Sequence, residues 1–200
     1  MSTLDDSGAI FRYHRDMISM HGAKSSLALG WRDANDQQIR FEALVDIADM
    51  NNKTVLDAGC GYGDLYAFLS EHYTLAHYYG VDQIPEILEE AIRRYDESGK
   101  TTFISRNFLT MQLPLSDYVI ASGSLNYSSA DPGFIFKAIE HLFAHCRLGL
   151  GFNLLRTTIA GGYLAAYDPD LILDHCKTLS RNVILKTNYA SEDFTVFMYK

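Results

Sequence analysis

The chain has 200 residues, 48% of them apolar, which suits one globular domain with a sizeable core. With 17 Lys and Arg against 25 Asp and Glu the net charge is −8, and the scattered basic residues leave no footprint for nucleic acid as a partner. Cys60, Cys146 and Cys176 form no CxxC pair and are expected to be free thiols of a cytoplasmic protein, apolar runs such as Leu148 to Phe152 are far too short for a membrane span, and the start with Asp5 and Asp6 lacks the basic residues and apolar stretch expected of a secretory signal.

In chain order, residues 1–30 show no clear periodicity and are rich in polar and aromatic types. A helix is predicted from Asn35, as its N-cap, to Met50, with Ile39, Leu44, Ile47 and Ala48 near one face. Short apolar runs then alternate with helical patterns. Strands are predicted at Thr54–Asp57, Tyr78–Asp82, Thr102–Ser105, Tyr118–Ala121, Leu148–Leu154, Val183–Thr187 and Phe194–Tyr199. The helices between them are Asp64–His72, Pro85–Ser98, Pro132–Cys146 and Pro169–Leu179. Their prolines stand in the first turn, where the missing N–H costs nothing. The alternation implies a doubly wound α/β domain with seven strands, mainly parallel. The last two strands are too close in sequence for a crossover, so they pair as an antiparallel hairpin.

The first strand runs into Asp57 and then Gly59, Gly61 and Gly63, followed by a helix. Glycines there let the backbone turn sharply and approach a ligand; the alternative is a tight turn that binds nothing. The second strand ends at Asp82, where a carboxylate suits the two hydroxyls of a ribose. A dinucleotide turn would read G-x-G-x-x-G. Here the third glycine comes one residue early and Asp64 holds the expected position, which opposes a pyrophosphate at the helix start. S-adenosylmethionine has no phosphate, and its ammonium and sulfonium groups suit the acids Asp57 and Asp64.

Val55–Gly63 resembles motif I of the class I methyltransferases, and Tyr79-Gly80-Val81-Asp82 resembles their second motif. Asp117–Gly123 is similar to the fourth strand and the loop beside the methyl group. The ending Asp193–Tyr199 and the pattern His21-Gly22, Trp31, Gln38-Ile39-Arg40-Phe41 resemble a bacterial subgroup of small members. The resemblance implies the Rossmann-like methyltransferase fold, S-adenosylmethionine as cofactor and S-adenosylhomocysteine as product. It implies cofactor contacts from Asp57, Ala58, Gly59, Gly61, Gly63 and Asp64, then from Asp82, Gln83 and Ile84, and from Ala121, Ser122 and Gly123. Residues 1–50 would cap the cofactor site of a domain over 51–200. After the third strand, where many members carry an acid near the adenine, this chain has Asn107 and Phe108. Asn107 either meets the adenine edge, with Phe108 over the ring, or serves only as a turn residue.

The acceptor would lie beyond the carboxyl ends of the strands. Methyl transfer is an in-line displacement that needs alignment and dryness more than a strong base. Asn126 and Tyr127 follow the fourth strand without the prolines of amino-directed nucleic-acid enzymes, so a small-molecule acceptor is expected. Tyr127 either orients the substrate or takes its proton, or else packs the loop. His14 is either a general base or a surface histidine. Trp31 offers an aromatic face to the sulfonium. Arg40 either pairs with the cofactor carboxylate or is a solvated helix charge. Residues 156–168, with Gly161-Gly162, Tyr163 and Tyr167, read as a lid or as a short capping helix. His141 and His145 lack the Glu and third ligand of a zinc motif, so no metal is expected; Asp174-His175-Cys176 is not a nucleophile set, and Cys60 is a small filler. A nicotinamide-dependent oxidoreductase and a non-catalytic S-adenosylmethionine-binding protein are the rival readings. The oligomer is expected to be a monomer or homodimer.

Overall fold

The computed structural model describes residues 3–22, 25–31, 34–95, 99–158 and 162–200. Its centre is one seven-stranded sheet, made of β1 (Thr54–Ala58), β2 (His77–Asp82), β3 (Thr101–Ser105), β4 (Ser116–Ala121), β5 (Cys146–Leu155), β6 (Asn182–Lys186) and β7 (Asp193–Tyr199). The order is β3-β2-β1-β4-β5-β7-β6. The first five strands are mutually parallel, whereas β7 is inserted antiparallel between β5 and β6. The doubly wound sheet with its antiparallel end is therefore the fold expected from sequence. The central strands are buried on both faces, which is why they read as nearly unbroken apolar runs.

Helices α2 (Ala34–Leu44) and α3 (Asp64–His72) place Phe41, Leu44, Leu65 and Leu69 on one face, against Val55, Tyr78, Ile120 and Phe197. Helices α5 (Phe134–Ala144) and α6 (Pro169–Leu179) place Ile135, Ile139, Leu142, Ile172 and Cys176 on the other, against Val119, Leu150, Phe152 and Phe194. Helix α4 (Pro85–Tyr95) joins a third cluster through Ile87, with Ala28, Tyr62 and Ile84. Among the described residues no helix is long and apolar enough to cross a membrane.

Several local expectations are corrected. The segment thought irregular contains α1 (Thr3–His21), a long helix whose Ile10, Phe11 and Ile18 pack on the third cluster. Its inward stripe includes Tyr13 and His14, so the apolar period is broken where the helix meets polar groups. Asn35 is not a cap, since α2 already begins at Ala34. That helix ends at Leu44 and tightens into a 3-10 turn over Val45–Ile47, short of Met50. Pro132 stands before α5, whose N-cap is Gly133, and Cys146 opens β5 rather than closing the helix. Pro85 and Pro169 do start their helices, and Asp168 caps α6 through the Asp170 amide. Helix α4 is described to Tyr95, and the remaining residues 96–98 of the predicted helix lie outside the described residues.

Candidate functional site

The strand order reverses between β1 and β4, and at that switch the carboxyl ends of the strands open onto a cavity of about 730 Å³. Its walls come from the glycine turn after β1, the ends of β2 and β3, the loop after β4, the segment after β5, and the N-terminal elements. The volume lies in the upper part of the range of roughly 300–1,000 Å³ typical of small-molecule sites, room for a nucleoside and a second ligand.

The glycine turn is held by its neighbours. The Gly59 and Cys60 amides donate to the Val81 carbonyl at 2.8 and 3.1 Å, and the Gly61 amide donates to Asp82 Oδ2 at 3.0 Å. Gly59 has φ +83°, and a Cβ there would lie 2.3 Å from Cβ of Ser124, whose hydroxyl donates to the Ala58 carbonyl. The turn can therefore sit flush against the loop after β4 only as glycine. Gly63, with φ +76°, has a different reason: a Cβ would meet the Tyr95 ring at 3.0 Å.

Three carboxyl groups surround this turn. Asp57 is buried and accepts the Tyr78 hydroxyl at 2.6 Å. Burial raises its pKa to about 7, helped by the negative charges of Asp82 and Asp64, while the Tyr78 hydrogen bond works the other way. Asp82 accepts the Ile84 amide at 2.9 Å as well as that of Gly61; burial raises its pKa, and these amides restrain the rise. Asp64 is turned to the side, paired with Arg94 at 2.9 Å and accepting from Gln37 at 3.2 Å.

Twelve of the sixteen expected cofactor residues line the cavity: Trp31, Arg40, Asp57, Gly59, Gly61, Asp82, Gln83, Ile84, Asn107, Phe108, Ser122 and Gly123. Ala58, Gly63, Asp64 and Ala121 are not among the lining residues. The two alanines are sealed inside their strands, Gly63 faces Tyr95, and the charge of Asp64 is met by Arg94. The Asn107 side-chain oxygen accepts the Leu109 amide at 2.9 Å, so the turn role is present in a residue that also faces the cavity. Ser122 Oγ is buried in the wall with no hydrogen-bond partner among the described residues.

Arg40 is not a solvated charge. It is buried, with Nη2 at 2.7 Å from Asp193 and Nη1 at 2.8 Å from Asp36, and its guanidinium lies 4.8 Å above the Trp31 ring. Trp31 in turn occupies the space beside Gly123, where a Cβ would approach it to 2.6 Å. His14 is not a surface histidine either. It is buried and reaches the Ala28 carbonyl through Nδ1 at 3.1 Å and the Tyr127 hydroxyl through Nε2 at 2.7 Å. Burial lowers its pKa, opposed by the Ala28 carbonyl and by Asp82. Tyr13 and Tyr163 meet at 5.2 Å between centroids beside this pair.

Within the expected lid, Tyr127 bridges Leu164, the Ala165 amide donates to the Asn126 carbonyl at 2.7 Å, and the Ser128 amide donates to the Tyr163 carbonyl at 2.8 Å. Asn126 Oδ1 accepts the Leu155 amide at 3.0 Å, which commits this side chain to holding the end of β5. No helix occurs in the described part of this segment, and Gly161 lies outside the described residues. Leu29, Gln37, Phe134, Thr157 and Glu192 also line the cavity; nothing in their local sequence marked them.

The discounted groups remain apart from this site. The His141 and His145 rings lie tilted with centroids 4.6 Å apart, His145 contacts Gln112, and no group of three metal-ligating side chains occurs among the described residues. His175 faces Glu140 at 3.5 Å while Cys176 is buried in the core.

Residues 55–147 match the family model described as a methyltransferase domain. A relative from Mycobacterium tuberculosis that carries a provisional methyltransferase name is 29% identical over 157 residues, 74% of this chain and 93% of its own. Magnesium protoporphyrin IX methyltransferase from Synechocystis PCC 6803, solved with bound S-adenosylmethionine, superposes with a TM-score of 0.71 at 17% identity, covering 100% of this chain and 99% of that one. The N-methyltransferase NodS from Bradyrhizobium japonicum WM9 gives 0.66 at 16% identity over 84% and 98% of the two chains.

Proposed function

We propose that this chain is a class I S-adenosylmethionine-dependent methyltransferase and transfers a methyl group to a small-molecule acceptor held in the cavity at the switch between β1 and β4. The observation that carries the reading is the chemistry of that cavity. It is lined by Asp57, Gly59, Gly61 and Asp82, but not by Gly63 or Asp64 at the start of α3. A pyrophosphate would need the open N-terminus of that helix, whereas a cationic nucleoside needs the acids. This favours S-adenosylmethionine over a nicotinamide cofactor.

The residues present fit that group. Asp82 would hold the ribose hydroxyls while keeping its two amide partners. Phe108 would cover the adenine, whose edge would meet Asn107. Asp57 would attract the ammonium group, and the free Ser122 hydroxyl lies in the same wall. Arg40 would act on the cofactor chiefly by fixing Trp31 and the junction of α2 with β7, since its charge is already met by two acids. When bound, the cofactor supplies an electrophilic methyl group and takes up the electron pair of the broken C–S bond. The protein's contribution is alignment and exclusion of water: α1, Trp31 and the segment after β5 close over the strand ends. A cavity walled by loops, on a chain of net charge −8, favours a small molecule over nucleic acid as acceptor.

Thermal unfolding with S-adenosylhomocysteine or NAD tests the cofactor. At about 100 times its dissociation constant the cognate ligand adds ~2.7 kcal/mol of stability. For a domain of this size the gain corresponds to a rise of about 5–11 °C in Tm. A shift with NAD and none with S-adenosylhomocysteine overturns the reading. Turnover of a methyl-labelled donor separates an enzyme from a silent binder.

A further inference from the structure

We propose that Tyr127 and His14 form a proton relay, so that the methyl acceptor is a molecule whose nucleophilic atom still carries hydrogen when it binds, a hydroxyl or an amine. The inference rests on the methyl-transfer reading above and adds to it the class of acceptor.

The argument starts from a carbonyl. Ala28 O lies 3.1 Å from His14 Nδ1 and can only accept, so Nδ1 carries a hydrogen. In the neutral ring this leaves a lone pair on Nε2. Nε2 is 2.7 Å from the Tyr127 oxygen, so the Tyr127 hydroxyl must donate to it. With its hydrogen committed to His14, the phenol oxygen has only lone pairs left for a ligand in the cavity that Tyr127 lines. A ligand group that complements a bare acceptor is a donor. An ether, a tertiary amine or a thioether brings none.

Around the pair, burial disfavours the imidazolium, and Asp82 and the Ala28 carbonyl act against that effect. The groups facing His14 are Tyr127 from the loop after β4, Tyr13 from its own helix, Asp82 from β2 and the Ala28 carbonyl. Burial keeps the imidazole neutral at rest, and burial, Tyr13 and Asp82 together keep the Tyr127 proton in place. Asp82 and the Ala28 carbonyl favour the imidazolium once a proton arrives. As the acceptor atom X forms its bond to the methyl carbon, the C–S bond breaks with its electron pair left on sulfur. The proton on X passes to the Tyr127 oxygen while the Tyr127 proton moves to His14 Nε2. One positive charge disappears from the donor and one appears on the imidazole, which later returns its proton to water. Tyr127 touches the reacting atom; His14 acts through it.

The test is two-bond ¹H–¹⁵N NMR on the full chain, labelled at histidine and saturated with S-adenosylhomocysteine. At pH 7.5 His14 should be neutral and protonated at Nδ1, taking a second proton at Nε2 only below its ordinary pKa of about 6.5. Tyr127→Phe should move the Nε2 signal toward that of a lone pair with no donor. The Nε2–H tautomer, or an imidazolium at pH 7.5, overturns the relay. Phenol and anisole at equal millimolar concentration then test the acceptor class. Phenol should shift the Nε2 resonance and anisole should not; an equal or absent response overturns the class. Failure of S-adenosylhomocysteine to raise Tm would instead sink the underlying reading, so the two failures are distinguishable.

Discussion

Replacing Arg40 with methionine is expected to destabilise the fold by about 3–5 kcal/mol, the usual cost of removing one partner of a buried ion pair. The magnitude follows from the surroundings. Arg40 is 4% exposed and Asp193 only 1%, and their closest atoms are 2.7 Å apart. Without the guanidinium, the Asp193 carboxylate stays buried at the start of β7, opposite Leu155 at the end of β5. Asp36 also loses its contact, and Trp31 loses the cation above its ring. At about 2–4 °C per kcal/mol for a domain of this size, Tm should fall by roughly 6–20 °C. Urea unfolding followed by circular dichroism gives the free energy, and calorimetry with S-adenosylhomocysteine gives the affinity. If Arg40 instead served mainly as a clamp for the cofactor carboxylate, the variant would lose about 1.5–3 kcal/mol of binding and little stability. A stability loss below about 1 kcal/mol, the value of a surface pair, refutes the reasoning. In the double variant Arg40→Met, Asp193→Leu most of the loss should be recovered, because an apolar pair of similar volume replaces buried charges at little cost.

Gly59→Ala and Gly63→Ala should separate two kinds of glycine. Both strain a left-handed backbone by about 1–3 kcal/mol, but only Gly59→Ala should also abolish S-adenosylhomocysteine binding, by pushing Ser124 out of the cavity wall. Equal binding defects in the two variants, read by calorimetry, would contradict that division. Asp82→Asn should weaken S-adenosylhomocysteine by roughly 10–100-fold, since Asn keeps one acceptor for the amides but loses the charge on the ribose hydroxyls. Unchanged affinity would remove Asp82 from the ribose. Asp57 titrates near 3.9 in an unfolded chain but at about 7 in the fold, so the native state holds an additional proton between these values. Its contribution to stability is therefore present at low pH and lost as pH rises toward 7. Binding an ammonium group favours the carboxylate, so affinity should increase as pH rises from 6 to 8, with up to about one proton released at pH 6. Calorimetry in buffers of different ionisation enthalpy measures the release, and Asp57→Asn should abolish it.

The sheet was legible because its signals are local. Val55 to Asp57 reads as a strand entering a glycine turn whichever residues lie beyond it, and Pro85 and Pro169 mark helix starts by backbone chemistry alone. The short link between β6 and β7 dictated antiparallel pairing in the same way. Helix α1 failed this test because its buried face carries Tyr13 and His14 among Ile10, Phe11 and Ile18, so apolar period and burial no longer coincide. The turn at Asn35 failed for the opposite reason. A good cap residue is only a local preference, and α2 started one residue earlier.

The site divides along the same line. Asp57, Gly59, Gly61 and Asp82 could be placed from sequence because each sits at the end of a strand and is aimed by the strand that carries it. Asp64 lies on the same short turn, yet its direction depends on Arg94, thirty residues away, and sequence spacing carries no information on that pairing. His14 and Tyr127 are separated by 113 residues and Arg40 and Asp193 by 153, and in both cases the partner decides what the side chain can do. A histidine whose Nδ1 faces a carbonyl is an acceptor at Nε2, and an arginine held by two acids has little charge left to offer a ligand. On the proposed reading, the part of the cavity that would take the cofactor is built mostly from local geometry, and the part that would take the acceptor from long-range pairs that α1 and the loops after β4 and β5 bring together. Variation among related chains in those three segments should therefore change the acceptor while leaving the methyl donor the same. Exchanging residues 1–31 between two relatives of different acceptor preference is the direct check. A swap that alters S-adenosylhomocysteine affinity as strongly as acceptor choice would show that the two halves are not separable.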